Sequence, residues 1–241
     1  MTKLIKIESV QKVIFVGDTH GDLEVGQKVI KDYLKPGNKI VFLGDYVDRG
    51  AKSKENLDFL LEIKNKNPNS IYLLQGNHEG YNVVKFIPAE FWQSLNKTDY
   101  QKYVSIVTNF PLVLCVNEII ALHGALPDVE NLDEINQTKI GDKIWRSITW
   151  GDFIEQPGED LGMDVFTGRP QFGRDYFEKL MKRFNKQILI RSHQPDAPQF
   201  MFDDRCLTIF TSSAYGRERT IAIYDSKKPI KTAKDLEIKI I

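Results

Sequence analysis

Cysteine is nearly absent. The 241 residues hold two, Cys115 and Cys206, each alone inside an apolar run. With no CxxC or CxxH pair, a zinc finger or a disulfide framework is excluded, and two buried thiols in a reducing cytoplasm are expected. Neither cysteine opens a C-x5-R phosphate loop, so cysteine-dependent phosphatase chemistry is excluded as well. Net charge is also lacking, because 33 basic residues balance 33 acidic ones. That leaves no electrostatic case for non-specific binding to nucleic acid or to a membrane surface. No apolar run approaches the ~18 residues of a membrane span. The opening Met1–Glu8 is interrupted by charge and has no signal-peptide character. Repeats, low-complexity tracts and long Gly/Ser/Pro linkers are missing, so one domain over 1–241 is expected.

What is present is 41% hydrophobic and 27% charged, the composition of a soluble globular chain. Five apolar runs lead into polar residues. Val13–Val16 runs into Gly17-Asp18-Thr19-His20-Gly21, and Ile40–Leu43 into Gly44-Asp45-Tyr46-Val47-Asp48-Arg49-Gly50. Ile71–Leu74 runs through Gln75 into Gly76-Asn77-His78-Glu79, and Ile119–Leu122 into His123-Gly124. Ile188–Ile190 runs into Arg191-Ser192-His193 without a glycine. Short apolar runs of this kind read as strands buried on both faces. Between the first three lie helical patterns, Leu23–Leu34 capped by Asp22 and a second helix capped by Ser53. Strand–loop–helix–strand in repetition implies parallel pairing with right-handed crossovers, and ligands bind beyond the carboxyl ends of such strands.

The remainder is less regular. Residues 81–109 read as an inserted helical region, and 112–116 and 118–122 as strands turning at Asn117. Residues 125–165 read as helix and loop. The runs Ile188–Ile190, Leu207–Phe210 and Thr220–Tyr224 follow in quick succession and suggest an antiparallel second sheet. Leu236–Ile241 reads as a further strand or a loose end.

The chain has four histidines, His20, His78, His123 and His193, and each follows an apolar run by a few residues. A single buried histidine is as often a satisfied core group as a ligand. Four at strand ends, with Asp, Asn or Arg beside most of them, point to metal. Imidazole with carboxylate suits Mn, Fe or Zn, whereas Mg or Ca favours an all-oxygen set. Asp18 and His20, two apart in an extended strand end, would face one ion. Asp45 would bridge to a second, which Asn77, His123 and His193 complete. Two metals ~3.5–4 Å apart hold a hydroxide between them for in-line attack on phosphorus. His78 is next to a ligand but surplus to the set, which makes it the general acid, with Asp48 orienting it. Arg49 and one or more of Arg169 and Arg191 would grip phosphate oxygens, with bracing of the site as the alternative for Arg191.

These motifs together resemble the PPP-family serine/threonine protein phosphatases of the metallophosphoesterase superfamily. The three loops at Gly17–Gly21, Gly44–Gly50 and Gly76–Glu79 are similar to that family's motifs. His123-Gly124, Arg191-Ser192-His193 and Trp150-Gly151-Asp152 are similar to its later ones, so the likeness runs from about residue 13 to 225. The resemblance implies an α/β sandwich of two mixed sheets flanked by helices, with a dinuclear site at its top. It implies Asp18, His20 and Asp45 on one metal and Asp45, Asn77, His123 and His193 on the other. It also implies Arg49 and Arg169 on phosphate, with Tyr215 matched to the family's tyrosine. The metals implied are two Mn ions, with Fe/Zn as the alternative. The partners implied are phosphoprotein substrates, in the cytoplasm. Gln75 stands where the family often has Arg, the tyrosine stretch is reduced to Ser212-Ser213-Ala214-Tyr215, and the Arg169–Gly173 segment is short. With so little sequence outside these motifs, a compact prokaryotic-type member is expected, its regulatory subunit unknown.

Two other functions compete. One is a small-molecule phosphoesterase such as a dinucleoside-tetraphosphate hydrolase. Those relatives typically carry Ala-Arg in place of Asp48-Arg49 and Asp in place of Glu79, so both positions favour the protein phosphatase. The other is a non-catalytic scaffold of the same fold, which would have lost ligands; here every ligand position is filled.

Overall fold

Apolar strands, covered on one face by helices and on the other by a second sheet, account for most of the architecture. The computed structural model describes residues 2–241. The amino-terminal half runs β1 (Leu4–Ile7), β2 (Lys12–Val16), α1 (Leu23–Tyr33), β3 (Asn38–Phe42), α2 (Ser53–Lys66) and β4 (Ile71–Leu73). Then come α3 (Glu90–Ser94), α4 (Lys97–Val107), β5 (Val113–Val116), β6 (Ile119–Leu122) and α5 (Lys143–Trp150). A small-sheet region follows with β7 (Asp152–Phe153), β8 (Asp160–Met163) and β9 (Pro170–Phe172), then α6 (Arg174–Arg183). The chain ends with β10 (Ile188–Arg191), β11 (Phe200–Met201), β12 (Cys206–Thr208), β13 (Thr220–Asp225) and β14 (Glu237–Ile240).

Three sheets result, of order β14-β13-β2-β3-β4, β1-β5-β6-β10-β12-β11 and β7-β9-β8. The first two are mixed and pack face to face. Along β2 and β3 the period-2 alternation divides one continuous apolar run between two cores. Val13, Phe15, Val41 and Leu43 face inward onto Leu114, Ala121, Ile188 and Ile190 of the other sheet. Ile14, Val16, Ile40 and Phe42 face outward onto Val29 of α1, Leu57 and Leu60 of α2 and Tyr103 of α4. The six-stranded sheet covers its outer face with Trp145 and Ile148 of α5 and Phe177 and Leu180 of α6. The α/β sandwich of two mixed sheets flanked by helices is therefore present.

β2, β3 and β4 pair in parallel, as the strand–helix repeats require. Asp22 caps α1, its carboxylate accepting from Val25 N. Ser53 differs from expectation: it lies inside α2, and its hydroxyl donates to Gly50 O instead of capping. The tail also differs. Its three runs form no antiparallel sheet of their own. β10 lies parallel between β6 and β12, and β13 lies antiparallel between β14 and β2. All four residues of β10 and the middle four of β13 are buried. Strands apolar on both faces belong in the middle of covered sheets, whereas a free antiparallel sheet would alternate polar and apolar residues. The 125–165 region, expected as helix and loop, also supplies β7 and β8. Among the described residues no helix is long and apolar enough to cross a membrane.

Candidate active site

The loops after β2, β3, β4, β6 and β10 converge at one rim of the sandwich, so both sheets supply side chains. The loops nearly touch. A Cβ on Gly44, whose φ is +111°, would stand 2.4 Å from Gly76 N, and one on Gly76 would stand 2.2 Å from Asp45 Oδ1. Only glycine lets the backbones approach this closely. Five site residues adopt left-handed backbone: His20 (φ 40°), Asp45 (53°), Asp48 (66°), Arg49 (67°) and His193 (71°). Such conformations cost ~1–3 kcal/mol each and cluster at functional sites. His20 is therefore not part of an extended strand end, and simple alternation with Asp18 is not what aims it.

Backbone carbonyls aim the rings instead. His20 Nδ1 lies 2.8 Å from Val47 O and His123 Nδ1 lies 3.0 Å from Leu43 O. Donation there holds the tautomer whose Nε2 lone pair is free, the usual arrangement of a metal-ligating histidine. Both Nε2 atoms face Asp45 Oδ2, at 3.8 Å from His20 and 3.3 Å from His123. Asn77 Oδ1 lies 3.1 Å from His123 Nε2 and 2.9 Å from His193 Nδ1. Asp18 Oδ2 lies 3.6 Å from His20 Nε2. Two groups form a metal-type donor set, His20–Asp45–His78 and Asp45–His123–His193, and they share Asp45. Among the described residues, Asp18 Oδ2 and His193 Nε2 are buried without a hydrogen-bond partner. Orphaned polar atoms of this kind beside buried carboxylates and imidazoles fit divalent metal cations.

Charges in the cluster respond to one another. Burial opposes ionisation of Asp45, but His123, His78 and His20 outweigh it and hold the carboxyl well below its usual range. Burial likewise opposes a charged His123, yet Asp45 and Asp18 raise it to about 9. Burial holds His193 well below the usual imidazole range, helped by Arg169 and His123. Glu79 is pushed up to about 7 by burial and by Asp45, against the pull of its three backbone donors. Those donors are Asp45 N, Tyr46 N and Gly76 N, at 2.8–2.9 Å. Glu79 thereby ties the second motif loop to the third.

His78 lies beside His20, with 4.8 Å between ring centroids, and differs from it in having a carboxylate hydrogen-bonded at Nδ1. Its Nδ1 lies 2.6 Å from Asp48 Oδ2, and its Nε2 is 3.9 Å from Asp45 Oδ2. Arg49 is exposed at the rim, with its guanidinium 5.2 Å from the centre of the Tyr215 ring. The Tyr215 hydroxyl lies 3.0 Å from His20 Nε2, which places this residue in the site. Arg169 is half-buried, and its Nη1 is 3.7 Å from Asp152 Oδ1. Arg191 does not fit the phosphate role foreseen for it. It is wholly buried, and it donates through Nε to Gly124 O (2.6 Å), through Nη1 to Gln194 Oε1 (2.7 Å) and through Nη2 to Gly151 O (3.2 Å). Three of its five N–H donors brace the loops after β6, α5 and β10. Asp152 was not singled out from sequence, although Trp150-Gly151-Asp152 was; it stands 3.5 Å from His193 Nε2 and next to Arg169.

A two-sheet sandwich with such a rim is the architecture of metal-dependent phosphoesterases. The chain belongs to the calcineurin-like phosphoesterase family, whose pattern matches residues 11–197. That family implies divalent metal ions, which the donor set above fits. The chain is 29% identical over 229 residues to a probable serine/threonine-protein phosphatase of Encephalitozoon cuniculi, covering 88% of this chain and 49% of that one. It is 28% identical over 237 residues to a PP2A-like serine/threonine-protein phosphatase of Saccharomyces cerevisiae, covering 84% of this chain and 62% of that one. The chain thus spans about half to three-fifths of the length of these curated relatives. A solved protein serine/threonine phosphatase from Saccharomyces cerevisiae superposes with a TM-score of 0.83 at 22% identity, covering 99% of this chain and 83% of that one, a likeness of fold.

Proposed function

We propose that this chain is a single catalytic domain that hydrolyses phosphoserine and phosphothreonine in proteins, a serine/threonine phosphatase of the cytoplasm that uses two divalent ions, Mn in preference to Fe or Zn. The observation that carries the reading is the His78–Asp48 pair, 2.6 Å apart, beside a donor cluster that shares Asp45. Asp18, His20 and Asp45 would hold one ion; Asp45, Asn77, His123 and His193 would hold the other. When bound, the ions supply Lewis acidity for the phosphoryl group and activate water as the nucleophile. The protein does the rest. Arg49 and Arg169 hold phosphate oxygens in line, and Tyr215 closes the rim beside His20. Asp48 accepts from His78 Nδ1–H, which leaves Nε2–H to protonate the departing serine or threonine oxygen. The names of the curated relatives support a protein substrate over a dinucleotide, as do Asp48-Arg49 and Glu79.

The test compares the Mn-loaded enzyme on phosphothreonine peptide, phosphotyrosine peptide and diadenosine tetraphosphate. The phosphothreonine peptide is expected to be turned over fastest; diadenosine tetraphosphate as the best substrate would overturn the reading. His78→Asn should lose ~10²–10⁴-fold in kcat while retaining both metals. Loss of metal from that variant would mean that His78 is a ligand instead.

A further inference from the structure

The segment after the third motif, 81–94, packs against the acid pair. Asp48 uses one carboxylate oxygen, Oδ2, for His78 Nδ1. Its other oxygen, Oδ1, accepts from Phe91 N in the first turn of α3 at 2.8 Å. The Trp92 indole Nε1–H donates to the main-chain carbonyl of His78, also at 2.8 Å. The Phe86 ring stands edge-on to the His78 imidazole at 4.5 Å between centroids, and on its other side it meets Trp150 at 5.6 Å. Trp92 is itself 2% exposed and wedged between Phe91 and Tyr100, so the indole is anchored.

One stretch therefore holds the orienting carboxylate by one oxygen, the acid by its backbone and the imidazole by its edge. Asp48 has left-handed backbone, a conformation that persists only when surrounding contacts over-determine it. A carboxylate with Oδ1 tied to the main chain cannot swing, so Oδ2 stays in line with the imidazole. A catalytic group displaced by ~1 Å loses on the order of 10²-fold. The geometry points to Trp92 as a positioning residue for the proton donor, with Phe86 as the edge against which the imidazole is set. The inference rests on His78 being the general acid, as proposed above. Trp92 meets the site at the main-chain carbonyl of His78, not at a side chain that would hold metal or phosphate. Its loss should therefore be felt only when the leaving oxygen needs a proton.

That dependence supplies the test. The Mn-loaded Trp92→Phe enzyme is assayed on a phosphoserine peptide, whose alkoxide must be protonated, and on p-nitrophenyl phosphate, whose leaving group need not be. kcat on the peptide is expected to fall by about tenfold or more, inside the ~10²–10⁴-fold span of general acid catalysis, while p-nitrophenyl phosphate changes less than about threefold. KM for both and the bound metal should be unchanged. Equal losses on the two substrates, or no loss on either, overturn the inference. His78→Asn is run alongside. If it loses selectively and Trp92→Phe does not, the positioning role alone falls; if His78→Asn loses equally on both, the acid assignment falls with it. Phe86→Leu, which keeps the indole bond and most of the packing, should show the same selective loss, and it decides the matter if Trp92→Phe does not fold.

Discussion

Arg49, Arg169 and Arg191 show what a residue's type leaves open. All three follow or flank motif loops, and a guanidinium grips phosphate wherever it reaches it. Only their surroundings separate them. Arg191 ends β10, and its three nitrogens each donate inward, to Gly124, Gln194 and Gly151. Replacing it with Met strands two buried carbonyls. Arg191→Met should therefore lower unfolding free energy by about 2–4 kcal/mol in urea titration. Arg169→Ala should leave the thermal midpoint near wild type and raise KM instead, because its partner Asp152 is at 3.7 Å and the side chain is half-buried. The reverse pattern would return Arg191 to the phosphate. The clustering of His and Asp donors was legible from sequence because all four histidines follow apolar strands, two of them within a residue or two of an Asp or Asn. Arg191 was not, because a bracing arginine and a binding arginine occur at the same spacing. Trp92 was read only as an apolar position in a helical insert, since nothing in its neighbours announces a bond to His78 O.

At the scale of elements, α2 and α4 are joined by a small polar clasp outside the site. Asp58 of α2 accepts from Tyr103 Oη of α4 at 2.7 Å and from Lys54 Nζ at 2.8 Å. Burial pushes the Asp58 carboxyl up, but the bonds from Lys54 and Tyr103 more than reverse it, so its pKa is lowered. A carboxylate with a lowered folded pKa stabilises fully above its unfolded value of about 3.9 and loses that contribution as pH falls through the folded one. Asp58→Asn should then melt below wild type at pH 7. The gap should close below about pH 4. A gap that persists at pH 2 would mean that the carboxylate charge is not what joins the helices. Parallel β2–β3–β4 and the helices between them were legible because two covered faces demand unbroken apolar runs. The β7-β9-β8 sheet was not, since its strands are two to four residues long and β8 is mostly exposed, with no alternation to read. The tail strands looked like neighbours because they are close in sequence, yet each found its place by burial.

Across the whole molecule, the donor cluster straddles the two large sheets. Asp18, Asp45 and Asn77 follow strands of the five-stranded sheet, whereas His123 and His193 follow strands of the six-stranded one. Bound cations should stabilise the fold by about 2.7 kcal/mol at a free concentration a hundredfold above Kd. Scanning calorimetry should show the midpoint rising with Mn and falling back in excess chelator, with Asp45→Asn abolishing most of the rise; a midpoint indifferent to Mn would contradict the shared-carboxylate arrangement. The straddling cluster also bears on time. With ions bound, both sheets would be tied to one donor cluster, which would have to release before the interior opens. The rate at which a protease cuts the native chain would then become a gauge of free metal.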